Sequence, residues 1–206
     1  MDKLFKWCQN PKRVIDIGAN KGEFSLLIKS KFPDCSIELV EANPLLEPLL
    51  QKTGLNYTIA TLSDKKEVKS LFVEKENILA TGASYYKENT DWYAAGKYFE
   101  IPTETQMLDE LNLFENEKID LIKIDCQGAE LDIIKGGYKT CSRATWLLVE
   151  VSLVEYNIGA PKIEEVTDWI TLTGFELRDI LEYHRLPGIY SGNVFQMDLL
   201  FKNSVN

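Results

Sequence analysis

Apolar runs alternate with helix-like patterns along most of the chain, and this alternation limits the fold more than any other feature of the sequence. "VIDIG" reads as a first buried strand, after which Phe24, Leu27, Ile28 and Phe32 recur at helical spacing as one apolar stripe. "IELVE" is a second strand. The following "NPLLEPLLQKTG" has Asn43 to cap a helix, Pro44 at its first position and Gly54 to end it. "YTIATLS" and "KSLFVEK" are further strand candidates, while "IDLIKID" and "TWLLVEVS" are the most apolar runs and belong at the centre of a sheet. Between these two, "GAELDIIKGG" is helical. Pro161 opens another helix that Gly174 closes, and "FELRDI" and "FQMDLLF" complete the sheet. Strands separated by helices in this order predict an α/β fold, a mainly parallel sheet with helices on both faces.

A length of 206 residues with 45% hydrophobic content suits one full core and is cramped for two, so a single domain over residues 1–206 is expected, with a lead-in at 1–12. Residues 74–103 lack a clean period and are read as an irregular loop on the acceptor side of a site. Its Tyr85, Tyr86, Trp92, Tyr93, Tyr98 and Phe99 would form an acceptor wall or pack the loop onto the sheet. With 32 acidic against 23 basic residues, the net charge of -9 disfavours nucleic acid and anionic membrane surfaces. Cys8, Cys35, Cys126 and Cys141 are widely spaced and read as ordinary thiols, with neither a disulfide framework nor a metal site. No secretory leader or membrane span is legible, and a cytoplasmic location is expected.

The chemistry starts at "DIGANKG". A turn without side chains lets backbone N–H groups approach a ligand, and a helix beginning just beyond adds its positive end. Gly18 and Gly22 form G-x-x-x-G rather than the G-x-G-x-x-G that receives a pyrophosphate. Glu41, at the end of the second strand, sits where an acid can take both ribose hydroxyls. A nucleoside with an amino-acid tail fits both features, and Asp16 at the tip of the first strand could hold its ammonium.

"DIGANKGEFS", "VEANP", "MLDEL", "IKIDCQGAELDIIKGG", "LVEVSLVEY" and "QMDLLF" resemble, in order, the FkbM-like family of S-adenosylmethionine-dependent methyltransferases. That resemblance implies the Rossmann-like class I methyltransferase fold, with a seven-stranded mostly parallel sheet whose final strand is antiparallel. It further implies S-adenosyl-L-methionine as cofactor and, as acceptor, a hydroxyl on a small molecule or sugar. The cofactor residues it implies are Asp16, Gly18, Ala19, Asn20, Gly22, Phe24, Glu41, Ala42, Asn43, Ser63, Asp64 and Asp125. In the block where the family reads D-V-E-G-A-E, this chain has "DCQGAE", so Gln127 stands in place of a carboxylate.

Three side chains are candidates for the chemistry. Asp125 ends the central strand, and either flanks the transferred methyl or caps the next helix. Glu150 ends a neighbouring strand and faces either a cleft or a buried partner. His184 is the one histidine, and would be base, acceptor contact or bystander. Glu130, one turn into a helix, is read as structural. Two rival functions remain. "YAAGK" has the Y-x-x-x-K spacing of a nicotinamide-dinucleotide-dependent oxidoreductase, though in the wrong place, and a catalytically inactive cofactor-binding protein is the other.

Overall fold

The sheet forms because the apolar runs can be buried on both faces. A computed structural model describes residues 2–77, 79–80, 82–185 and 192–204. In chain order its elements are α1 (Asp2–Trp7), β1 (Arg13–Ile17), α2 (Glu23–Lys31), β2 (Ser36–Glu41), α3 (Glu47–Thr53), β3 (Asn56–Ile59), β4 (Thr61–Leu62) and β5 (Val68–Glu74). There follow α4 (Asp91–Ala94), β6 (Tyr98–Gln106), β7 (Ile119–Ile124), α5 (Glu130–Gly136), α6 (Tyr138–Ser142), β8 (Ala144–Ser152), α7 (Ile163–Leu172), β9 (Phe175–Arg185) and β10 (Val194–Asn203).

The seven-stranded sheet has the order β3-β2-β1-β7-β8-β10-β9, parallel except that β10 runs antiparallel to both of its neighbours. Strand order reverses between β1 and β7, which opens a crevice at their carboxyl ends. Side chains alternate between two cores. Ile122, Ile124, Leu147 and Val149 enter one, with α5 and α7, while Leu121 and Leu148 enter the other, with Leu4, Ile28 and Leu50. Burial on both sides explains why these strands read as continuous apolar runs rather than alternating ones.

Three local expectations change. "YTIATLS" divides at Ala60: β3 pairs with β2 in the large sheet, whereas β4 pairs with β6 in a separate three-stranded sheet ordered β4-β6-β5. β6 also occupies much of the stretch read as irregular, pairing antiparallel with β5 from Tyr98 to Glu104, so the loop is shorter than its composition suggested. On α2 the apolar stripe is incomplete, because Leu27 is 42% exposed while Ile28 and the polar Ser25 are buried. Asn43 does cap its turn, its Oδ1 accepting from the Leu45 N–H at 3.1 Å. No helix among the described residues is long and apolar enough to cross a membrane.

α5 fits because its last residue has no side chain. A Cβ on Gly136 would lie 2.1 Å from the Ser63 carbonyl oxygen, so the helix end rests directly on the backbone beyond β4. Overpacking of this kind costs roughly 1–3 kcal/mol. Gly136→Ala is therefore expected to lower Tm by about 2–10 °C in a thermal melt. An unchanged Tm would show that the contact is not a tight one.

Candidate active site

Gly18 holds the two strand tips together. Its φ is 76°, and a Cβ there would fall 1.9 Å from the Asp125 carbonyl oxygen, so no other residue lets β1 and the end of β7 approach this closely. The N–H groups of Gly18 and Ala19 both donate to the Val40 carbonyl, at 2.9 and 3.1 Å, tying the corner to β2. Glu41 then braces it. Its Oε2 accepts from the Asn20 N–H at 2.7 Å and its Oε1 from the Asn43 N–H at 2.8 Å. The carboxyl is buried, and burial raises its pKa despite these main-chain donors.

Three hollows meet at this corner. A narrow pocket is walled by Ile17, Glu41, Ala42, Leu62, Tyr85 and Ile133, among others. A second hollow lies over Gly18, Ala19, Asn20 and Phe24. A wide cleft of about 940 Å³ includes Phe24, Glu88, Glu150, His184 and Asp198 in its lining. Asp125 lines all three, which puts this residue at their junction. Among the other expected residues, Gly22 starts α2 with φ 79°, and Ser63 and Asp64 stand beyond the pocket wall, Ser63 fully buried and Asp64 exposed. Asp16 is wholly buried and lies beneath the hollows. Its Oδ2 accepts from Ser25 Oγ at 2.7 Å, while its Oδ1 has no hydrogen-bond partner among the described residues.

Lys123 was not singled out from the sequence, although a lysine inside the most apolar strand is a signal in itself, since a buried charge needs partners. Its ammonium lies 2.8 Å from Asp125 Oδ2 and 4.0 Å from Asp16 Oδ1. Burial works to lower its pKa, but Asp125 and Asp16 outweigh burial and raise it, so the lysine stays charged. In return, although burial works to raise the Asp125 pKa, the Lys123 ammonium holds it below the usual carboxylate value. Asp125 caps no helix: its carboxylate receives Lys123 and, at 3.4 Å, the Gln127 amide.

Glu130 makes the turn after Asp125 instead. Its Oε1 accepts from the Cys126 N–H at 2.8 Å and its Oε2 from the Gly128 N–H at 2.9 Å, in line with its structural reading. Gln127 turns its amide toward Glu150 Oε2, at 2.6 Å, and Gln196 donates to the same oxygen at 3.0 Å. A glutamate at 127 would set two carboxylates face to face, so the departure from the family pattern supplies a donor where one is needed. Glu150 is nearly buried, and burial together with Asp125, Glu130 and Asp198 pushes its pKa well up. Burial, assisted by the Asp125 charge, pushes Asp198 up to about 6. His184 Nε2 lies 4.0 Å from Asp198 Oδ1.

None of the loop aromatics whose side chains are described lines the wide cleft. Tyr85 and Tyr86 donate to Asp132 Oδ2 on α5 at 3.0 and 2.9 Å, and the Lys69 ammonium sits 3.8 Å over the Tyr85 ring. Tyr93 stacks on Tyr98 with ring centroids 5.2 Å apart. From this segment the cleft takes Glu74, Ala80, Gly82, Glu88 and Thr90. Thr81 and the Trp92 side chain lie outside the described residues. The Y-x-x-x-K reading finds no support in the geometry: Tyr93 is buried, Lys97 pairs with Glu76 at 3.4 Å, and neither lines any of the three hollows.

This strand order, with its crevice at the β1/β7 reversal, is that of a Rossmann-like class I methyltransferase. Residues 16–177 match the methyltransferase FkbM domain, and the chain belongs to that family. It is 27% identical over 173 residues to methyltransferase sdnD of Sordaria araneosa, covering 69% of this chain and 65% of that one, so it spans less than two thirds of that relative's length. The fold is shared with TrmK of M. capricolum in complex with S-adenosylhomocysteine, at 9% identity and TM-score 0.51, over 99% of this chain and 69% of that one. It is also shared with the 1,6-didemethyltoxoflavin-N1-methyltransferase of Burkholderia thailandensis, at 13% identity and TM-score 0.50, over 98% and 76%. The cofactor of a methyltransferase of this family is S-adenosyl-L-methionine. The residues present fit it: a narrow pocket walled by Ile17, Ala42 and Leu62 lies beside the buried Glu41 carboxyl, which main-chain N–H groups hold in place.

Burial pushes the Glu130 carboxyl up to about 7 from 4.5. The folded chain thus holds a proton that the unfolded chain has released, so Glu130's contribution is fully present below about pH 4.5 and lost as pH rises through about 7. Between pH 5 and 8 the Tm of the wild type is expected to fall relative to that of Glu130→Gln. A constant Tm difference across that range would refute the assignment.

Proposed function

We propose that the protein transfers a methyl group from S-adenosyl-L-methionine to a hydroxyl oxygen of a small molecule or sugar seated in the wide cleft. The observation that carries this reading is the place of Asp125, a residue that lines all three hollows. In this reading the adenosyl half takes the narrow pocket, with Glu41 and Ala42 toward the ribose. The amino-acid tail takes the hollow over Gly18, Ala19 and Asn20. Bound there, the cofactor supplies an electrophilic methyl on a sulfonium. Main-chain N–H groups of Asn20, Ala42 and Asn43 orient the Glu41 carboxyl, which has further acceptor capacity for a ribose hydroxyl.

The protein's own task is then alignment and proton removal. Methyl transfer is an in-line displacement, and holding the acceptor in line can supply a large part of its acceleration. Asp125 is ionised by virtue of Lys123 and stands at the cleft floor, where it can take the proton of an approaching alcohol. Phe24 separates the second hollow from the cleft and offers an apolar surface on which water is excluded. Glu150 and His184 face the acceptor side. The acidic residues in the lining of the cleft, Glu74, Glu88, Glu150, Glu182 and Asp198 among them, favour an acceptor that can donate hydrogen bonds, and the chain's net charge of -9 speaks against nucleic acid.

Calorimetry with S-adenosylhomocysteine is expected to show one site per chain. Loss of hydrogen bonds to a charged acceptor costs about 1.5–3 kcal/mol, so Glu41→Ala should bind roughly 10- to 100-fold more weakly. No heat with the wild type would end the proposal.

The catalytic assignment is separable from binding. Asp125→Asn keeps the shape of the site and removes the base, so kcat on an identified hydroxyl acceptor should fall by roughly 100-fold or more, with S-adenosylhomocysteine affinity little changed. Wild-type turnover in this variant would remove Asp125 from that role. Transfer of an isotopically labelled methyl to nitrogen or carbon acceptors alone, read by mass spectrometry, would overturn the oxygen assignment.

A further inference from the structure

The far side of the wide cleft carries a second constellation, built on three adjacent strands. Glu150 comes from β8, Asp198 from β10 and His184 from β9, and one ligand-type atom from each lies within 4.8 Å of the other two. The strand pairing fixes this arrangement. Asp198 is opposite Glu150 across β8 and β10, and His184 is opposite Gln196 across β9 and β10. Ligands on neighbouring strands of one sheet are held more rigidly than ligands on loops.

Two further observations set the trio apart from an ordinary acidic surface. Among the described residues, no lysine or arginine forms an ion pair with Glu150 or Asp198; the nearby Lys123 is committed to Asp125 and Asp16. The nearest partners of these two buried or half-buried carboxyls are instead His184, 4.0 Å from Asp198, and Asp125, which shares a hydrogen bond with Glu150. Glu150 is also oriented from behind, because the amides of Gln127 and Gln196 both donate to its Oε2. Donors that fix a ligating carboxylate in this way are the usual outer shell of a metal site.

We infer that Glu150, His184 and Asp198 form a divalent cation site at the acceptor end of the cleft. One imidazole with two carboxylates suits an ion of intermediate hardness, of which Mn²⁺ is the representative. Three protein ligands leave coordination positions facing the cleft, and an acceptor hydroxyl can occupy one of them. This role toward the acceptor rests on the methyl-transfer reading given above, whereas binding of the ion does not. A metal site was not expected from the chain, in which Glu150 and His184 stand out only as candidates for the chemistry, because the three residues fall in separate strands without a recognisable ligand spacing.

The test is titration of Mn²⁺ into the chelator-treated protein, with free ion read by electron paramagnetic resonance. One saturable site per chain is expected. His184→Ala and Asp198→Asn should each weaken it roughly tenfold or more. Glu74→Gln, which removes a carboxylate elsewhere in the same cleft, should bind as the wild type does. The His184 side chain is 38% exposed, so its removal is tolerable to the fold should Asp198→Asn prove unstable. Absence of a saturable site, or equal binding by all four proteins, would overturn the inference in favour of diffuse attraction or a cationic acceptor group. A specific Mn²⁺ site in a protein that methylates no hydroxyl would leave it standing and reject the functional proposal instead.

Discussion

The site depends on one close approach: the bare backbone of Gly18 against the Asp125 carbonyl, where a single added carbon would lie 1.9 Å from oxygen. That contact draws the tips of β1 and β7 together at the point where the sheet reverses direction. The Gly18 and Ala19 N–H groups turned onto Val40, and Glu41 beneath Asn20 and Asn43, serve to keep the corner in this form. Because the floor of the crevice is made of main chain, its shape depends little on side-chain rotamers.

Around that floor the electrostatics are arranged about one buried cation. Lys123 lies between Asp16 and Asp125 and ensures that the residue at the junction of the hollows is ionised, while Glu130 and Glu150 are driven the other way by burial and by their acidic neighbours. Similar groups a few ångströms apart are thus placed in different protonation regimes by their surroundings. Such separation is the general means by which one site acquires groups suited to different tasks.

Much of this was legible in the chain. The order of strands and helices, the glycine corner, the cap at Asn43 and the position of Glu41 all follow from local rules of turn chemistry and periodicity, and local rules survive folding. What was not legible is tertiary. Nothing in "YTIATLS" says that Ala60 leaves one sheet for another, since both halves have the same propensity and only their partners differ. The aromatics of residues 82–99 looked suited to a ligand, yet Tyr85 and Tyr86 spend their hydroxyls on Asp132, and Tyr93 and Tyr98 stack on each other. Composition names what a side chain can bind and is silent on which partner reaches it first. Lys123 was overlooked because a periodicity reading treats a lone charge in an apolar run as an interruption, when the burial of that strand makes it a commitment.

The two tyrosines ending on one carboxylate have a mechanical consequence. Asp132 belongs to α5, and α5 begins directly after the loop that carries Asp125, Cys126 and Gln127. Cover and base of the narrow pocket are therefore fastened to the same helix. Lifting the segment around Tyr85 would break two phenolic hydrogen bonds and withdraw an aromatic face from Lys69 in one movement, so passage in and out of the pocket is coupled to the helix itself rather than to an independent flap.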